Sequence, residues 1–252
     1  MSTGHEPAAE EEPVVWVVGA GSGMGRACAL DLAEHGRRVA VSGRRSEALD
    51  AVATAVALAD HEAIALPLDV GDAAAVERAH AAILEQWGRL DALVLASGMN
   101  VPERSWQDLR MSELEQVVDT NLLGVARIME AALPSLRRRG GVVVVLSSIA
   151  AWRFSPGSGV AYSASKTALG ALCQSLNHDE AANGVRACHL CPGDVNTDFL
   201  EHRPRVPDAA ARSAMLQPDD VARVVRFVLD SPPHVRIDEL VLTPAPVPAL
   251  AR

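Results

Sequence analysis

The most constraining feature of this sequence is a strand, turn and helix unit near its N-terminus. Val14–Val18 is entirely apolar, which is typical of a strand buried on both faces of a parallel sheet. A glycine-rich turn follows directly, and residues 26–35 then form a helical pattern. Glycines allow a tight turn and let the backbone approach a pyrophosphate, which the helix N-terminus can hold. The turn therefore predicts dinucleotide contacts at Gly19, Gly21, Ser22, Gly23, Met24 and Gly25.

Strands and helices alternate along the rest of the chain. Further strands are predicted at residues 38–42, 63–68, 91–96, 142–146, 185–190 and 239–242. This alternation predicts an α/β fold, with a Rossmann-type, doubly wound parallel sheet of about seven strands in a three-layer α/β/α sandwich. Residues 13–252 are predicted to form one domain, and the acidic residues 1–12 a disordered tail.

The end of the second strand bears on the choice of dinucleotide. An NAD-selective site has an acid near this point to accept a hydrogen bond from the ribose 2′-OH. Ser42 and Gly43 stand there instead, and Arg44 and Arg45 follow. Arginine suits a 2′-phosphate, so the sequence favours NADP(H) over NAD(H), the alternative being a solvated basic turn.

The third strand ends in an acid followed by an apolar residue. Asp69 could accept a hydrogen bond from the adenine amino group while Val70 packs against the ring. The alternative is that Asp69 only caps the next helix, a role that Asp72 could also fill.

The only tyrosine and the only lysine of the chain lie four residues apart, at Tyr162 and Lys166, in a stretch predicted as a helix over residues 162–182. Residues at this spacing share one helix face. An ammonium beside a phenol favours the phenolate, so Lys166 is expected to lower the pKa of Tyr162 toward neutrality. Such a phenol can exchange a proton with an alcohol or carbonyl oxygen.

Two further polar features accompany this pair. Ser147 and Ser148 follow the buried strand Val142–Leu146, at the carboxyl end where ligands bind in open α/β sheets. Asn121 interrupts the apolar face of a long helical stretch, residues 111–139. A buried asparagine of this kind is usually a satisfied polar group.

Composition and charge restrict the other functions. A net charge of −9 argues against nucleic acid as a partner. No apolar run is long enough to span a bilayer and no secretory signal begins the chain, so neither a membrane partner nor export is predicted, and the location is expected to be cytoplasmic. Cys188 and Cys191 lie three apart in a predicted strand and point to opposite faces, so no metal site is predicted there.

In this order, the glycine turn, Asp69, Asn121, Ser148 and the Tyr-x-x-x-Lys of Tyr162 and Lys166 resemble the short-chain dehydrogenase/reductase superfamily from Val14 to Thr243. The segments 216–222 and 232–244 resemble the branch of NADP-dependent 3-hydroxy acid (serine) dehydrogenase and clavulanate dehydrogenase.

The resemblance implies a role for each matching residue. Tyr162 would be the catalytic acid/base, and Lys166 would lower its pKa and hold the nicotinamide ribose. Ser148 would orient the substrate oxygen, and Asn121 would fix a helix distortion and a water of the proton relay. Further cofactor contacts are expected at Ala96, Ser97, Gly98, Pro192, Gly193, Val195 and Thr197.

The sequence departs from the family pattern in three places. Val18 replaces the usual threonine before the glycines, and Ala96 replaces an asparagine that supports the central sheet. The interval between Ser148 and Tyr162 is one residue longer than usual, which leaves Ser147 as a rival for the serine role.

These observations together predict an NADP(H)-dependent oxidoreductase that interconverts a secondary alcohol and a carbonyl compound. The alternative is a catalytically silent dinucleotide-binding regulatory or scaffold protein. The resemblance implies a homotetramer, or a homodimer, in which residues 111–139 and 162–182 pack between subunits.

The substrate pocket is expected to involve a loop and a lid. Residues 199–217, with prolines and several charges, are predicted to be a mobile lid containing a short helix. Trp152, Arg153 and Phe154 are expected to line the pocket beside it. Arg153 or Arg203 could hold a substrate carboxylate, or could equally be a solvated surface arginine.

Overall fold

The computed structural model describes residues 12–245, so all of the predicted acidic tail except Glu12 lies outside the described residues. Its centre is a sheet of seven parallel strands in the order β3-β2-β1-β4-β5-β6-β7. The strands are β1 Val14–Val18, β2 Arg38–Gly43, β3 Ala63–Pro67, β4 Ala92–Leu95, β5 Val142–Leu146, β6 Arg186–Pro192 and β7 Glu239–Leu242. The Rossmann-type, doubly wound fold predicted from the sequence is confirmed.

Helices cover both faces of this sheet. They are α1 Gly23–Glu34, α2 Ser46–Leu58, α3 Ala73–Trp87, α4 Met111–Val118, α5 Gly124–Leu136, α6 Ile149–Trp152, α7 Val160–Asp179, α8 Ala209–Ser213 and α9 Pro218–Leu229. Within residues 12–245, none of them combines the length and the hydropathy needed to cross a bilayer.

The apolar strands divide the core into two layers, as alternating side chains require. Val15 and Val17 of β1 pack on the side of α1 and α9, and Val14, Trp16 and Val18 pack on the other side. All five are at most 1% exposed, which explains why β1 shows no polar alternation.

The long helix predicted for residues 111–139 is interrupted. It divides into α4 and α5, which are joined by a π-helical turn, Asp119–Leu123, with Asn121 at its centre. An added Cβ at Gly124 would lie 2.5 Å from Val70 Cγ2, so the start of α5 passes closely over the loop after β3. The turn thus sets the path of α5 across the sheet edge.

The segment after β6 is held at both of its ends. Asn196 N–H donates to the Leu216 carbonyl at 2.8 Å, and Leu216 N–H donates to the Asp194 carbonyl at 3.0 Å. Between these anchors the chain forms a 3₁₀ turn, Asp198–His202, and α8. The short helix predicted in residues 199–217 is therefore present, and we call the segment 197–215 the lid segment.

Candidate active site

A cleft of about 970 Å³ opens at the carboxyl ends of the strands, where the strand order reverses between β1 and β4. This is the position at which open α/β sheets bind ligands. Every dinucleotide-contact residue predicted from the sequence lines it, from Gly19 to Thr197. Ser147, Ser148, Tyr162 and Lys166 line it as well.

The glycine turn forms one end of the cleft, and the surrounding backbone leaves no room for a side chain at Gly19 or Gly25. Gly19 has φ of +87°, and an added Cβ there would lie 2.6 Å from Ser97 N. An added Cβ at Gly25 would lie 2.2 Å from the Gly19 carbonyl oxygen. Ser22 is the N-cap of α1 but makes no side-chain capping hydrogen bond. The first N–H groups of α1, which have no intrahelical acceptor, and the Ser22 hydroxyl are therefore suited to a pyrophosphate.

Arg44 and Arg45 line the next part of the cleft with exposed side chains. Neither forms an ion pair with any residue that the structure describes, and no acid stands at the end of β2. Ser42 itself is buried and accepts a hydrogen bond from Trp16 Nε1 at 2.9 Å, so it is unavailable to a ribose. Both arginines are thus free to meet a phosphate.

The two roles considered for Asp69 separate in the structure. Asp72 is the N-cap of α3 and accepts a hydrogen bond from Ala75 N–H at 3.0 Å. Asp69 Oδ1 accepts from Gly71 N–H at 2.9 Å. Because Asp72 provides the cap, Asp69 is left in the cleft beside Val70, where an adenine would lie.

The far end of the cleft holds the hydroxyl groups. Ser148 is the N-cap of α6, where its Oγ accepts from Ala150 N–H at 3.2 Å, and its hydroxyl lowers the pKa of Tyr162. The Ser147 hydroxyl instead donates to the Lys166 carbonyl at 3.1 Å and is 3% exposed. Of the two serines, only Ser148 therefore presents its hydroxyl to Tyr162.

The prediction that Lys166 lowers the pKa of Tyr162 toward neutrality is wrong in this structure. The pKa of Tyr162 is raised, because the surrounding protein shields its hydroxyl from water even though part of the residue is exposed. The Ser148 hydrogen bond and the charges of Arg203 and Arg104 lower this pKa, but burial outweighs them. The four-residue spacing alone could not show this balance.

Lys166 lies behind the tyrosine, with Nζ 5.9 Å from the centroid of the Tyr162 ring. Its ammonium donates to the Leu146 carbonyl at 3.0 Å, and the residue is only 3% exposed. Burial lowers the pKa of Lys166 to about 8. An added Cβ at Gly98 would lie 3.3 Å from Nζ, so the loop after β4 closes over the amine.

Asn121 does not line the cleft. It is fully buried in the π-helical turn, where its Oδ1 accepts from Met99 N–H at 2.7 Å and its Nδ2 donates to the Met99 carbonyl at 2.9 Å. Nδ2 also reaches Ser165 Oγ at 3.1 Å. Asn121 thereby connects the loop after β4 to α7, the helix that carries Tyr162.

The substrate end of the cleft differs from the expectation. Trp152, Arg153 and Phe154, at the end of α6 and just after it, are exposed and do not line the cleft. Residues from the lid segment do line it, with the Phe199 ring 6.1 Å from that of Tyr162. Arg104, from the loop after β4, also lines it and was not singled out in the sequence.

Among residues 12–245, one group of side chains that can ligate a metal comes together, although no metal site is predicted from the sequence. Atoms of His189, Cys191 and Glu239 lie within 4.8 Å of one another. The three residues come together because His189 is opposite Glu239 in the β6–β7 register and lies two residues before Cys191 in β6. A hydrogen bond of 3.0 Å between His189 Nδ1 and Glu239 Oε1 accounts for the closest of these contacts.

Comparisons with known proteins agree with the geometry. Residues 13–206 match the family model described as short chain dehydrogenase. An uncharacterized oxidoreductase of Listeria monocytogenes, Lmo0432, is 30% identical over 93% of this chain and 97% of its own. Serine 3-dehydrogenase of Agrobacterium fabrum is 31% identical over 91% of this chain and 93% of its own.

Solved structures give the same result. The alcohol dehydrogenase of Thermococcus sibiricus, complexed with 5-hydroxy-NADP, has a TM-score of 0.84 at 32% identity and covers 93% of this chain and 97% of its own. A 3-ketoacyl-(acyl-carrier-protein) reductase from Brucella melitensis, complexed with NADH, has a TM-score of 0.84 at 25% identity, covering 93% and 98%. A closed serine dehydrogenase complexed with NADP⁺ has a TM-score of 0.83 at 27% identity, covering 92% and 94%.

The chain belongs to the short-chain dehydrogenase family. It is accordingly a dinucleotide-binding oxidoreductase that acts on CH–OH groups of small molecules.

Proposed function

We propose that this protein is an NADP(H)-dependent oxidoreductase that interconverts a secondary alcohol and a ketone or aldehyde, with Tyr162 as the acid/base. The observation that carries the proposal is that Ser148, Tyr162 and Lys166 line the same cleft as the glycine turn. A bound nicotinamide dinucleotide would supply or accept the hydride. In the reducing direction Tyr162 donates its proton to the substrate oxygen, and Ser148 donates a hydrogen bond that stabilises the developing charge.

The protonation state of Tyr162 fits the role of proton donor. Because burial raises its pKa, the phenol is protonated at neutral pH. Reduction of a carbonyl needs this form, whereas oxidation of an alcohol needs the phenolate. We therefore expect reduction to be favoured near pH 7 and oxidation to become faster as the pH rises.

Lys166 and Asn121 support these groups. Lys166, held against the Leu146 carbonyl beneath the cleft, would bind the nicotinamide ribose. Asn121 would hold the loop after β4 and α7 at a fixed separation through its bonds to Met99 and Ser165.

The preference for NADP(H) rests on the two arginines after β2. Arg44 and Arg45 line the cleft without ion-pair partners among the described residues, and relatives of known structure carry either NADP or NADH. Replacing Arg44 with glutamine should lower kcat/KM for NADP⁺ by roughly 10- to 150-fold and leave that for NAD⁺ unchanged, because a charge-assisted contact to a 2′-phosphate is lost. Arg78→Gln, at an exposed position of α3 outside the cleft, is the matched control. Equal loss with both nucleotides would contradict the preference.

Tyr162→Phe tests the reaction itself. NADP⁺ reduction would be followed by absorbance with a panel of hydroxy acids, cyclic alcohols and sugars. The variant should lose about 10²- to 10⁴-fold in kcat and keep its affinity for NADPH. Ser147→Ala is the control and should keep turnover, because Ser148 has the serine role. Full activity of Tyr162→Phe would refute the proposal. NADPH binding without turnover of any carbonyl or alcohol would favour the regulatory or scaffold role.

We also propose that the protein assembles as a homotetramer or homodimer through α4, α5 and α7. Large apolar side chains on this stretch support an interface, since Met111 is 63% and Leu123 is 45% exposed. Sedimentation equilibrium would reveal a monomer if this is wrong. The cytoplasmic location remains a prediction.

A further inference from the structure

Arg104 lies beside the catalytic tyrosine although it is distant in sequence. Its carbonyl accepts a hydrogen bond from Val160 N–H, in the first turn of α7, at 3.2 Å. Gly159 has φ of +84°, and an added Cβ there would lie 2.7 Å from Arg104 Cβ. The start of α7 is therefore packed on Arg104, and its side chain enters the same cleft as Tyr162.

The guanidinium of Arg104 is held in place by neutral groups. Nε donates to the Val101 carbonyl at 3.1 Å, Nη1 to the Gly157 carbonyl at 2.7 Å and Nη2 to the His202 carbonyl at 3.0 Å. These bonds come from three separate loops and leave further N–H groups of the fork unused. No carboxylate forms an ion pair with Arg104 within residues 12–245, so its charge is oriented but not neutralised.

The other arginines near the substrate end differ in this respect. Arg203 is paired with Asp194. Arg153 is exposed outside the cleft, and Arg205 lines the cleft but is exposed to solvent. Among these arginines, only Arg104 combines a fixed orientation with an unpaired charge facing the cleft.

The charge of Arg104 acts at the reacting end of the cleft. It lowers the pKa of the Tyr162 hydroxyl, and burial and the Arg203 charge lower the pKa of Arg104 itself. The cost of removing an unpaired cation from water is offset when an anion binds it and accepts its remaining hydrogen bonds. A carboxylate is the anion whose two oxygens fit a planar guanidinium edge.

We infer that Arg104 forms a carboxylate subsite beside Tyr162, so that the substrate of this enzyme is a hydroxy acid or the corresponding oxo acid. The inference rests on the proposed oxidoreductase function of the same cleft. The carboxylate would bind Arg104 while the reacting oxygen meets Tyr162 and Ser148.

The test compares acids with their neutral esters. Wild type and Arg104→Gln would be assayed with NADP⁺ and with matched pairs, 3-hydroxybutyrate and lactate against their methyl esters. Arg104→Gln should lower kcat/KM for the acids by roughly 10- to 150-fold and that for the esters by less than about threefold. Arg104→Lys, which keeps the charge but loses the fork, should recover part of the acid activity. A purely structural role in holding the three loops would reduce turnover of acid and ester alike and would overturn the inference.

Two controls and a binding measurement complete the test. Arg153→Gln should leave the ratio of acid to ester activity unchanged. If Arg205→Gln lowers that ratio and Arg104→Gln does not, the carboxylate subsite lies at Arg205 and the inference is overturned. Calorimetry with the NADPH-loaded protein should show that 3-hydroxybutyrate or lactate binds more tightly than its ester, and equal binding or none would also overturn it. Failure of the oxidoreductase proposal is distinguishable, because it would appear as absent turnover of every acid and ester.

Discussion

Replacing Lys166 with methionine should stabilise the protein at neutral pH while removing its activity. The amine is 3% exposed, and burial lowers its pKa from 10.5 to about 8. That difference corresponds to roughly 3 kcal/mol by which burying the protonated amine destabilises the fold at pH 7. Loss of the hydrogen bond to the Leu146 carbonyl offsets about 1 kcal/mol of it. Lys166→Met should therefore be roughly 2 kcal/mol more stable than wild type.

The pH dependence of this gain identifies its cause. Because the pKa of folded Lys166 lies below that of an unfolded lysine, the unfolded chain binds more protons between about pH 8 and 10.5, and wild-type stability rises with pH in that window. The penalty of burying the amine falls by roughly 2 kcal/mol between pH 7 and pH 9.5. The advantage of Lys166→Met should thus nearly disappear at pH 9.5. Other titrating groups are common to both proteins and cancel in the difference.

Two measurements check the argument. Denaturant unfolding of both proteins at pH 7 and pH 9.5 gives the stability difference directly. Since Lys166 is the only lysine, protein labelled at lysine Cε gives one resonance from this residue in an NMR titration, with an expected midpoint near 8. An unchanged stability difference at the two pH values, or a midpoint near 10.5, would refute the reasoning.

Three other substitutions test separate parts of the structure. Gly25→Ala places a Cβ 2.2 Å from the Gly19 carbonyl oxygen, so NADPH affinity should fall at least roughly tenfold, and an unchanged fluorescence titration would contradict the tight turn. Asn177→Ala should destabilise the protein by about 2 to 4 kcal/mol in denaturant unfolding, because the N–H and the carbonyl of Ala187 lose their buried partner, and a change below about 1 kcal/mol would count against this. Ser148→Ala should lower kcat by roughly 10²- to 10³-fold. Because Ser148 lowers the pKa of Tyr162, its removal should raise that pKa and move the alkaline rise of alcohol oxidation to higher pH. An unshifted pH profile would show that Ser148 does not act on the tyrosine.

The features that the sequence predicted are those that depend on neighbouring residues. The apolar run Val14–Val18 and the glycine turn define one strand and one phosphate site wherever they occur in such a sheet. The carboxyl ends of parallel strands then bring Ser148 and Thr197 to one cleft. This is why the seven-strand fold and the glycine-turn and serine positions of the cleft could be predicted from local patterns, while the contacts at Pro192, Gly193 and Thr197 came from the family resemblance.

The features that the sequence missed depend on contacts between distant segments. Arg104 has an ordinary loop position, and its importance comes from carbonyl groups at Gly157 and His202. The pKa of Tyr162 depends on burial by several loops, which the spacing to Lys166 does not contain. The prediction that residues 152–154 line the pocket was wrong, because these residues at the end of the short helix α6 are exposed to solvent.

The backbone bridge at the base of the lid segment has a consequence for how such proteins diversify. Val195 pairs with Leu216 in a bridge outside the seven-stranded sheet, so the two ends of the segment are held together at one fixed place. Lengthening a closed loop adds only slowly to its entropic cost. Residues 198–215 can therefore be exchanged, shortened or extended between related enzymes, with Asn196, Thr197 and Leu216 kept. Substrate range could change in this way while the machinery on the strands is inherited intact.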